Sequence, residues 1–276
     1  MNKEDYFIKQ FKNRHKNIIG DDGAVVGSHV YSMDAFFEDV HFKREWMSLK
    51  QIARKAMIVN ISDAIVMNAI PKYALLSVAI PKNFSIDDLK ELAKGFKSIA
   101  KKFGIKIIGG DTISNTKLDI SITIISKTKK PVFRKGLKKD DLLCYTGDLG
   151  TCKSDLELLL KGKKVSKKSK FLKPRLNPEF FYEIAPYINC ALDISDGLFF
   201  ELERLSSINN LGFEFFDKIS KEVGCSGEEY EILFSFSQKN AQIISEIAQK
   251  YEVKLNIFAK AVDGTYKCDC QNHHFK

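Results

Sequence analysis

The chain has 276 residues, enough for one large domain or two of ordinary size, and its 44% hydrophobic and 29% charged residues are the balance of a globular protein. No apolar run approaches the roughly 20 residues that span a bilayer, and the polar N-terminal stretch lacks a secretory h-region, so a cytoplasmic location without a membrane partner is expected. The formal net charge is +9, yet much of the excess lies in segment 161–170, which has no aromatic interleaving and reads as an exposed loop; a nucleic-acid partner is not expected.

Hydrophobic periodicity predicts alternating strands and helices. A strand is expected over residues 24–33, then a helix opened by a capping box at Ser48 and Gln51 and running to about Met67. A strand over 73–80 leads to a second helix opened by Ser85 and Asp88, with Leu89, Leu92, Phe96 and Ile99 on one face. Short strands over 105–108 and 118–126 are expected on either side of a Gly-Gly-Asp turn. A domain boundary is placed near residue 130, giving domains 1–130 and 131–276. The second half opens with a strand over 142–146 and a helix from about Lys153. A further helix is expected to start at Asn177-Pro178, since proline is tolerated in a first turn. A strand over 190–194, a helix over 195–206 and a strand–helix–strand run over 230–236, 241–250 and 253–261 close the chain.

Aspartates recur where strands end and turns begin: Asp21, Asp22, Asp34, Asp63, Asp111, Asp193 and Asp196. Each alone is accounted for as a turn former or helix cap. Their settings argue for more. Asp63 lies in an apolar helical stretch, where an unpaired carboxylate carries a desolvation penalty. Asp111 follows two glycines that permit close backbone approach, and Asp193 and Asp196 bracket Ser195. Acids converging on one place repel unless cations hold them, and an all-oxygen ligand set suits Mg²⁺ completed by waters and phosphates. That chemistry is phosphoryl transfer or its relatives. The usual nucleotide motifs fail: Gly147 to Ser154 resembles a P-loop, but Cys152 stands where glycine must precede Lys153, leaving only backbone N–H groups as donors to a ligand.

The six cysteines, Cys144, Cys152, Cys190, Cys225, Cys268 and Cys270, read as small apolar groups rather than a disulfide framework. Cys268, Cys270, His273 and His274 outline a zinc-like cluster, although no second pair elsewhere balances it, and a solvated C-terminus is the expectation.

Taken together, the blocks Gly20-Asp21-Asp22-Gly23, Ser32-Met33-Asp34 with His41-Phe42, Asn60-Ile61-Ser62-Asp63, Gly109-Gly110-Asp111-Thr112, Asp193-Ile194-Ser195-Asp196-Gly197 and Gly227-Glu228-Glu229-Tyr230-Glu231 resemble the thiamine-monophosphate kinases, in that family's order over residues 20–231. The resemblance implies an α/β (α+β) architecture of the aminoimidazole ribonucleotide synthetase type. In it, an N-terminal domain pairs with its twin into a dimeric β-barrel, and a C-terminal α/β domain packs beside it. It implies a homodimeric kinase that phosphorylates thiamine monophosphate with ATP and several Mg²⁺ ions. Asp22, Ser32, Asp34, Asp63, Asp111, Asp193 and Asp196 would hold metal. Gly110, Asp111, Arg134 and Ser195 would contact ATP, and His41 and Glu228 the thiamine substrate. The acceptor is an already ionised phosphate, so no general base is nominated. Four positions depart from the family pattern: Met33 for threonine, Asn68 for glycine, Glu229 for aspartate, and Asn272 where an aromatic is usual, with Phe275 as a stand-in. The alternatives are another ATP-dependent enzyme of the superfamily, such as aminoimidazole ribonucleotide synthetase, and a non-catalytic basic protein that binds polyanions.

Overall fold

The computed structural model describes residues 3–12 and 19–270. A short helix α1 (Lys3–Lys12), which hydrophobic periodicity did not mark, precedes a first sheet of β1 (Ala24–Val26), β2 (His29–Phe37), β3 (Ile70–Pro81), β4 (Lys106–Asn115) and β5 (Asp119–Lys127), in spatial order β1-β2-β5-β3-β4. The pairs are antiparallel except β3 with β4, which are parallel and joined through helix α3 (Ile86–Phe103) as a crossover requires. The expected single strand over 24–33 is a hairpin: Gly27, at φ +60°, turns β1 back onto β2.

Helix α2 (Leu49–Val66) links the two halves. Ser48 accepts from Gln51 N–H while the Gln51 side chain accepts from Ser48 N–H, the capping box read in the sequence, and Ser85 and Asp88 repeat it for α3. Gly104 in the left-handed region ends α3. The amphipathic α3 buries one face, whereas α2 is buried nearly all round, with Ile52, Met57, Ile61 and Ile65 almost fully enclosed. Each such side chain contributes about 1.5–3 kcal/mol of burial free energy. Helix α2 packs on the first sheet and α3, and on its other side meets β7 and α5 of the second half.

That half is a second sheet of β6 (Leu142–Thr146), β7 (Cys190–Asp193), β8 (Leu211–Phe215), β9 (Ile232–Phe236) and β10 (Leu255–Asp263), antiparallel throughout in the order β7-β9-β6-β10-β8. Helices α4 (Thr151–Leu160), α5 (Pro178–Ile184), α6 (Leu198–Asn209), α7 (Lys221–Gly224) and α8 (Ala241–Lys250) flank it. The strand β8 was not expected, and α6 begins at Leu198 rather than residue 195. One continuous core runs from Ile120 and Ile122 through Ile61 and Ile65 to Phe180 and Phe234; a second, around Leu192, Leu202 and Phe258, lies on the other side of the second sheet.

Three expectations are corrected. The Gly-Gly-Asp sequence is not a turn: after a register shift at Ile108, β4 continues through Gly109, Gly110 and Asp111. At Gly110, φ is +144° and a Cβ would run into the Leu76 carbonyl, so the glycine serves a close approach of β4 to β3. Cysteine pairing does occur, because Cys225 is bonded to Cys270. Cys144 and Cys190 remain buried thiols, pushed by burial to about 12. Finally, segment 161–170 is not wholly solvated, since its last residue, Lys170, folds inward. His273, His274, Asn272 and Phe275 lie outside the described residues.

Candidate active site

The loop after β7 and the middle of α2 bring three acids together. Asp63 comes from the α2 face that meets β7, Asp193 ends β7, and Asp22 comes from the turn before β1. One carboxylate oxygen of each lies within 4.8 Å of those of the other two. No other group of three or more potential ligands comes this close among the described residues. Burial, then Asp34, Asp193 and Asp22, push the Asp63 carboxyl well above its usual range. Burial and Asp22 do the same for Asp193. Asp34, half-buried on β2, is raised to about 6 by burial and by Asp22, Glu228 and Asp196.

These residues fit a divalent cation. The Asp193 Oδ2 atom is buried without a hydrogen-bond partner among the described residues, a position a native fold rarely leaves uncompensated. The donors are hard carboxylate oxygens, the ligand type that suits Mg²⁺. Ser32 is buried beside it on β2, its hydroxyl donating to the Asn60 carbonyl at 3.2 Å. Asn60 is the joint that aligns this edge: its Oδ1 accepts from Asp34 N–H at 2.7 Å, and its Nδ2 donates to Ala56 O.

Arg134 already neutralises part of the cluster. Its guanidinium donates to both oxygens of Asp22, at 2.5 and 3.3 Å, and its N–H to Asp21 Oδ1 at 2.6 Å. Burial opposes its charge, but Asp22 holds the proton on. Asp196 is engaged differently: Arg204 bridges it, at 2.5 Å, to the fully buried Glu201, at 2.6 Å. Asp111 is not in the close group; it sits exposed on β4, opposite Ser77.

The turn at Glu228 closes the other side. Glu228 N–H donates to the Ser195 carbonyl at 2.6 Å, and Tyr230 N–H donates to Ile194 O at 2.9 Å. Glu228 and Tyr230 take φ of +61° and +52°, backbone that non-glycine residues seldom adopt and that concentrates at functional sites. The Glu228 side chain pairs with Lys55 of α2, a buried cation that no motif marked. His41 sits in the turn after β2, its Nδ1 accepting from Phe37 N–H at 3.0 Å, so at least one of its nitrogens holds the turn.

Glu229, the residue one methylene longer than the family's aspartate, faces inward. It accepts from Gly150 N–H at 2.7 Å, Cys152 N–H at 3.3 Å and the Ser226 hydroxyl at 2.6 Å, and pairs with Lys170 at 2.7 Å. Two backbone donors of the P-loop-like turn, Gly150 and Cys152, are therefore taken by Glu229, and Lys153 N–H by Ser226, rather than left for a ligand. Asn68, in place of glycine, has φ +51°, a conformation asparagine tolerates, and donates to Lys130 O at 2.8 Å.

Lys55, Glu201 and Arg204 escaped the sequence reading, and Asn60 entered it only as part of the Asn60-Ile61-Ser62-Asp63 block. Lys55 and Asn60 lie in a helix buried nearly all round, and Glu201 and Arg204 stand at the i,i+3 spacing common to ordinary helix-surface pairs.

The AIR synthase related protein N-terminal domain family matches residues 20–128. The thiamine-monophosphate kinase of Pyrococcus horikoshii is 30% identical over 261 residues, covering 87% of this chain and 82% of that protein. That of Bacillus subtilis is 31% identical over 218 residues, covering 73% and 67%. Among solved structures, AaThiL complexed with AMPPCP and TMP shares the fold at a TM-score of 0.86 and 23% identity, covering 100% of this chain and 99% of that one. With relatives of that identity over most of its length, the chain belongs to the thiamine-monophosphate kinase family.

Proposed function

We propose that the chain transfers the γ-phosphoryl group of ATP to thiamine monophosphate, forming thiamine diphosphate and ADP. A terminal oxygen of the acceptor phosphate forms the new bond to phosphorus as the bond to the β–γ bridging oxygen breaks, and the electron pair leaves with ADP. The acceptor oxygen carries no proton that must be removed at neutral pH, so positioning and charge compensation do the work. The observation that carries the reading is the close group of Asp22, Asp63 and Asp193 beside Arg134. Names of the relatives, and the AMPPCP and TMP held by the structural neighbour, supply the two substrates.

Asp22, Asp63 and Asp193, with Ser32, Asp34, Asp111 and Asp196 around them, would hold Mg²⁺, which when bound offsets repulsion between the phosphate groups. Arg134 offers fixed-charge donors to phosphate oxygens, and Gly110, Asp111 and Ser195 line the ATP path. Glu228 and His41 face the thiamine portion. Asp196 would have to loosen from Arg204 to take its part, and Asp111 to be approached from the open side of β4.

A homodimer built on the first sheet is part of the same reading. Every residue of β4 from Lys106 to Ser114 is exposed, including Ile107, Ile108 and Ile113, and Met33 and Tyr31 on β2 are exposed as well. An apolar open edge of this length calls for cover. Domains 1–130 and 131–276, joined through α2, and a cytoplasmic location complete the proposal. No helix among the described residues is long and apolar enough to cross a membrane.

The test is conversion of thiamine monophosphate by the purified protein with ATP and Mg²⁺, against EDTA and thiamine as the acceptor. Mg²⁺-dependent diphosphate formation that disappears in Asp63→Asn supports it. Metal-dependent ATP binding without product would mean a different acceptor, and no ATP binding would overturn the reading.

A further inference from the structure

Between α2, α3 and segment 168–177 lies a cavity of about 420 Å³, within the range of small-ligand pockets. Arg54, Lys102, Lys168, Lys173 and Arg175 line it, and no acidic side chain does. None of these five cations has a carboxylate within 4.0 Å among the described residues, so nothing acidic in the wall offsets their mutual repulsion, although surface lysines such as Lys139, Lys221, Lys250 and Lys254 show that a carboxylate can be found when one is near. Gathering unpaired like charges on one concavity costs free energy that an anion would recover. The buried Ile58 and Ile99 form part of the wall and keep the local dielectric low, which strengthens that attraction.

We propose that this cavity is a second anion site, distinct from the acidic cluster, and takes a small polyphosphate. Two arginines offer paired, planar donors to phosphate oxygens and three lysines add mobile point charges. A nucleic acid is disfavoured, since no aromatic side chain lines the cavity to stack a base. Segment 161–170 thereby gains a use: Lys168 belongs to the cavity, whereas Lys163 and Lys164 do not.

The site has a route to the catalytic side. Lys55 lines the cavity and also pairs with Glu228 at 2.6 Å. The Lys55 ammonium is itself buried, so an anion in the cavity acts on the Lys55–Glu228 pair through its field rather than by contact, and the effect on substrate affinity is reciprocal. This coupling rests on the role given to Glu228 above; the anion site itself does not.

Calorimetric titration of the full chain with inorganic pyrophosphate in EDTA tests the site alone, because the acidic cluster repels anions when divalent metal is removed. Saturable binding is expected, weakened about tenfold or more in Lys168→Gln/Lys173→Gln, where two charge-assisted contacts are lost. Lys163→Gln/Lys164→Gln, on the same segment but outside the cavity, should bind as the parent does. All four lysines are exposed, so folding is not at issue, and melting curves check it. Absence of saturable binding, or equal weakening in both double variants, would overturn the proposal whatever the kinase assay shows.

Discussion

The Lys55 ammonium lies 2.6 Å from Glu228 Oε2 and 3.8 Å from the centre of the Phe171 ring, so one buried side chain of α2 ties together the Glu228 turn and the end of the lysine-rich segment. The Lys55 side chain is fully enclosed, whereas that of Glu228 keeps 25% of its surface exposed. Removing the cation leaves a carboxylate that is partly wet rather than stranded, so the cost is below that of a fully buried pair. Lys55→Met should lower stability by about 1–3 kcal/mol and raise the KM for thiamine monophosphate with that for ATP unchanged. Lys55→Met/Glu228→Gln should recover part of the stability but not the KM. Thermal melts and steady-state kinetics on the cycle decide it; additive stability losses would show that the pair is not coupled.

The acids predict an unusual pH response in metal-free protein. Asp34 is raised to about 6, and Asp63, Asp193 and Glu201 are raised too, burial being the largest cause for each. A carboxyl whose folded-state value is raised keeps its proton in the fold after the unfolded chain has lost it. Stability through these groups therefore falls as pH rises from about 4 through 6, and acidification restores it. The groups shifted the other way, Asp88, Glu183 and Glu222, are all on the surface. In EDTA the melting temperature at pH 5.5 should exceed that at pH 7.5 by about 2–4 °C. Millimolar Mg²⁺, which binds the ionised form, should shrink or invert the difference. Calorimetric scans at both pH values are the check, and a higher melting temperature at pH 7.5 in EDTA would contradict it.

The same repulsion separates stability from activity. Asp193→Asn keeps the shape of a buried side chain while removing a carboxyl that burial and Asp22 make costly to ionise. Without divalent metal the variant should be more stable than the parent by about 1 kcal/mol. It should also lose the stabilisation that Mg²⁺ gives the parent, and fall in kcat by about a hundredfold or more. Urea titrations with and without Mg²⁺, beside the kinase assay, measure all three. A less stable metal-free variant would mean that Asp193 is satisfied by the fold alone.

Much of this was legible in local sequence, and the reason is physical. Both capping boxes depend on residues three apart, and each formed where Ser48-Gln51 and Ser85-Asp88 predicted. Of the close group, Asp63 stood out because a carboxylate in an apolar helical stretch violates ordinary patterning, Asp193 because it shares a strand-to-helix turn with Asp196, and Asp22 through the family resemblance of its block. What could not be read depended on distant partners. Gly109-Gly110-Asp111 has the composition of a turn, and only the packing of β4 against Leu76 makes it a strand. Arg134 carried a family-derived role but gave no hint that Asp22, 112 residues away, would hold it. Lys55 is a buried cation in a helix enclosed nearly all round, and its partners come from residues 171 and 228.

Glu229 gives the sharpest stability prediction, because its role is to hold the chain rather than the substrate. Its side chain is fully buried and accepts from Gly150 N–H, Cys152 N–H and Ser226, while Lys170 pairs with it. Those contacts join the Glu228 turn, the N-terminus of α4 and the lysine-rich segment at one carboxylate. Glu229→Ala leaves the Gly150 and Cys152 backbone donors unpaired and removes one of the two carboxylates on Lys170, the other being Glu231 at 3.1 Å, a loss of about 2–4 kcal/mol. Glu229→Gln keeps the volume and one acceptor oxygen, so it should cost less, with the difference reporting the Lys170 pair. If the carboxylate instead served the substrate, Glu229→Gln would change the KM for thiamine monophosphate and leave urea stability untouched. The geometry predicts the reverse: a clear shift of the unfolding midpoint, and a KM close to that of the parent wherever the variant is folded.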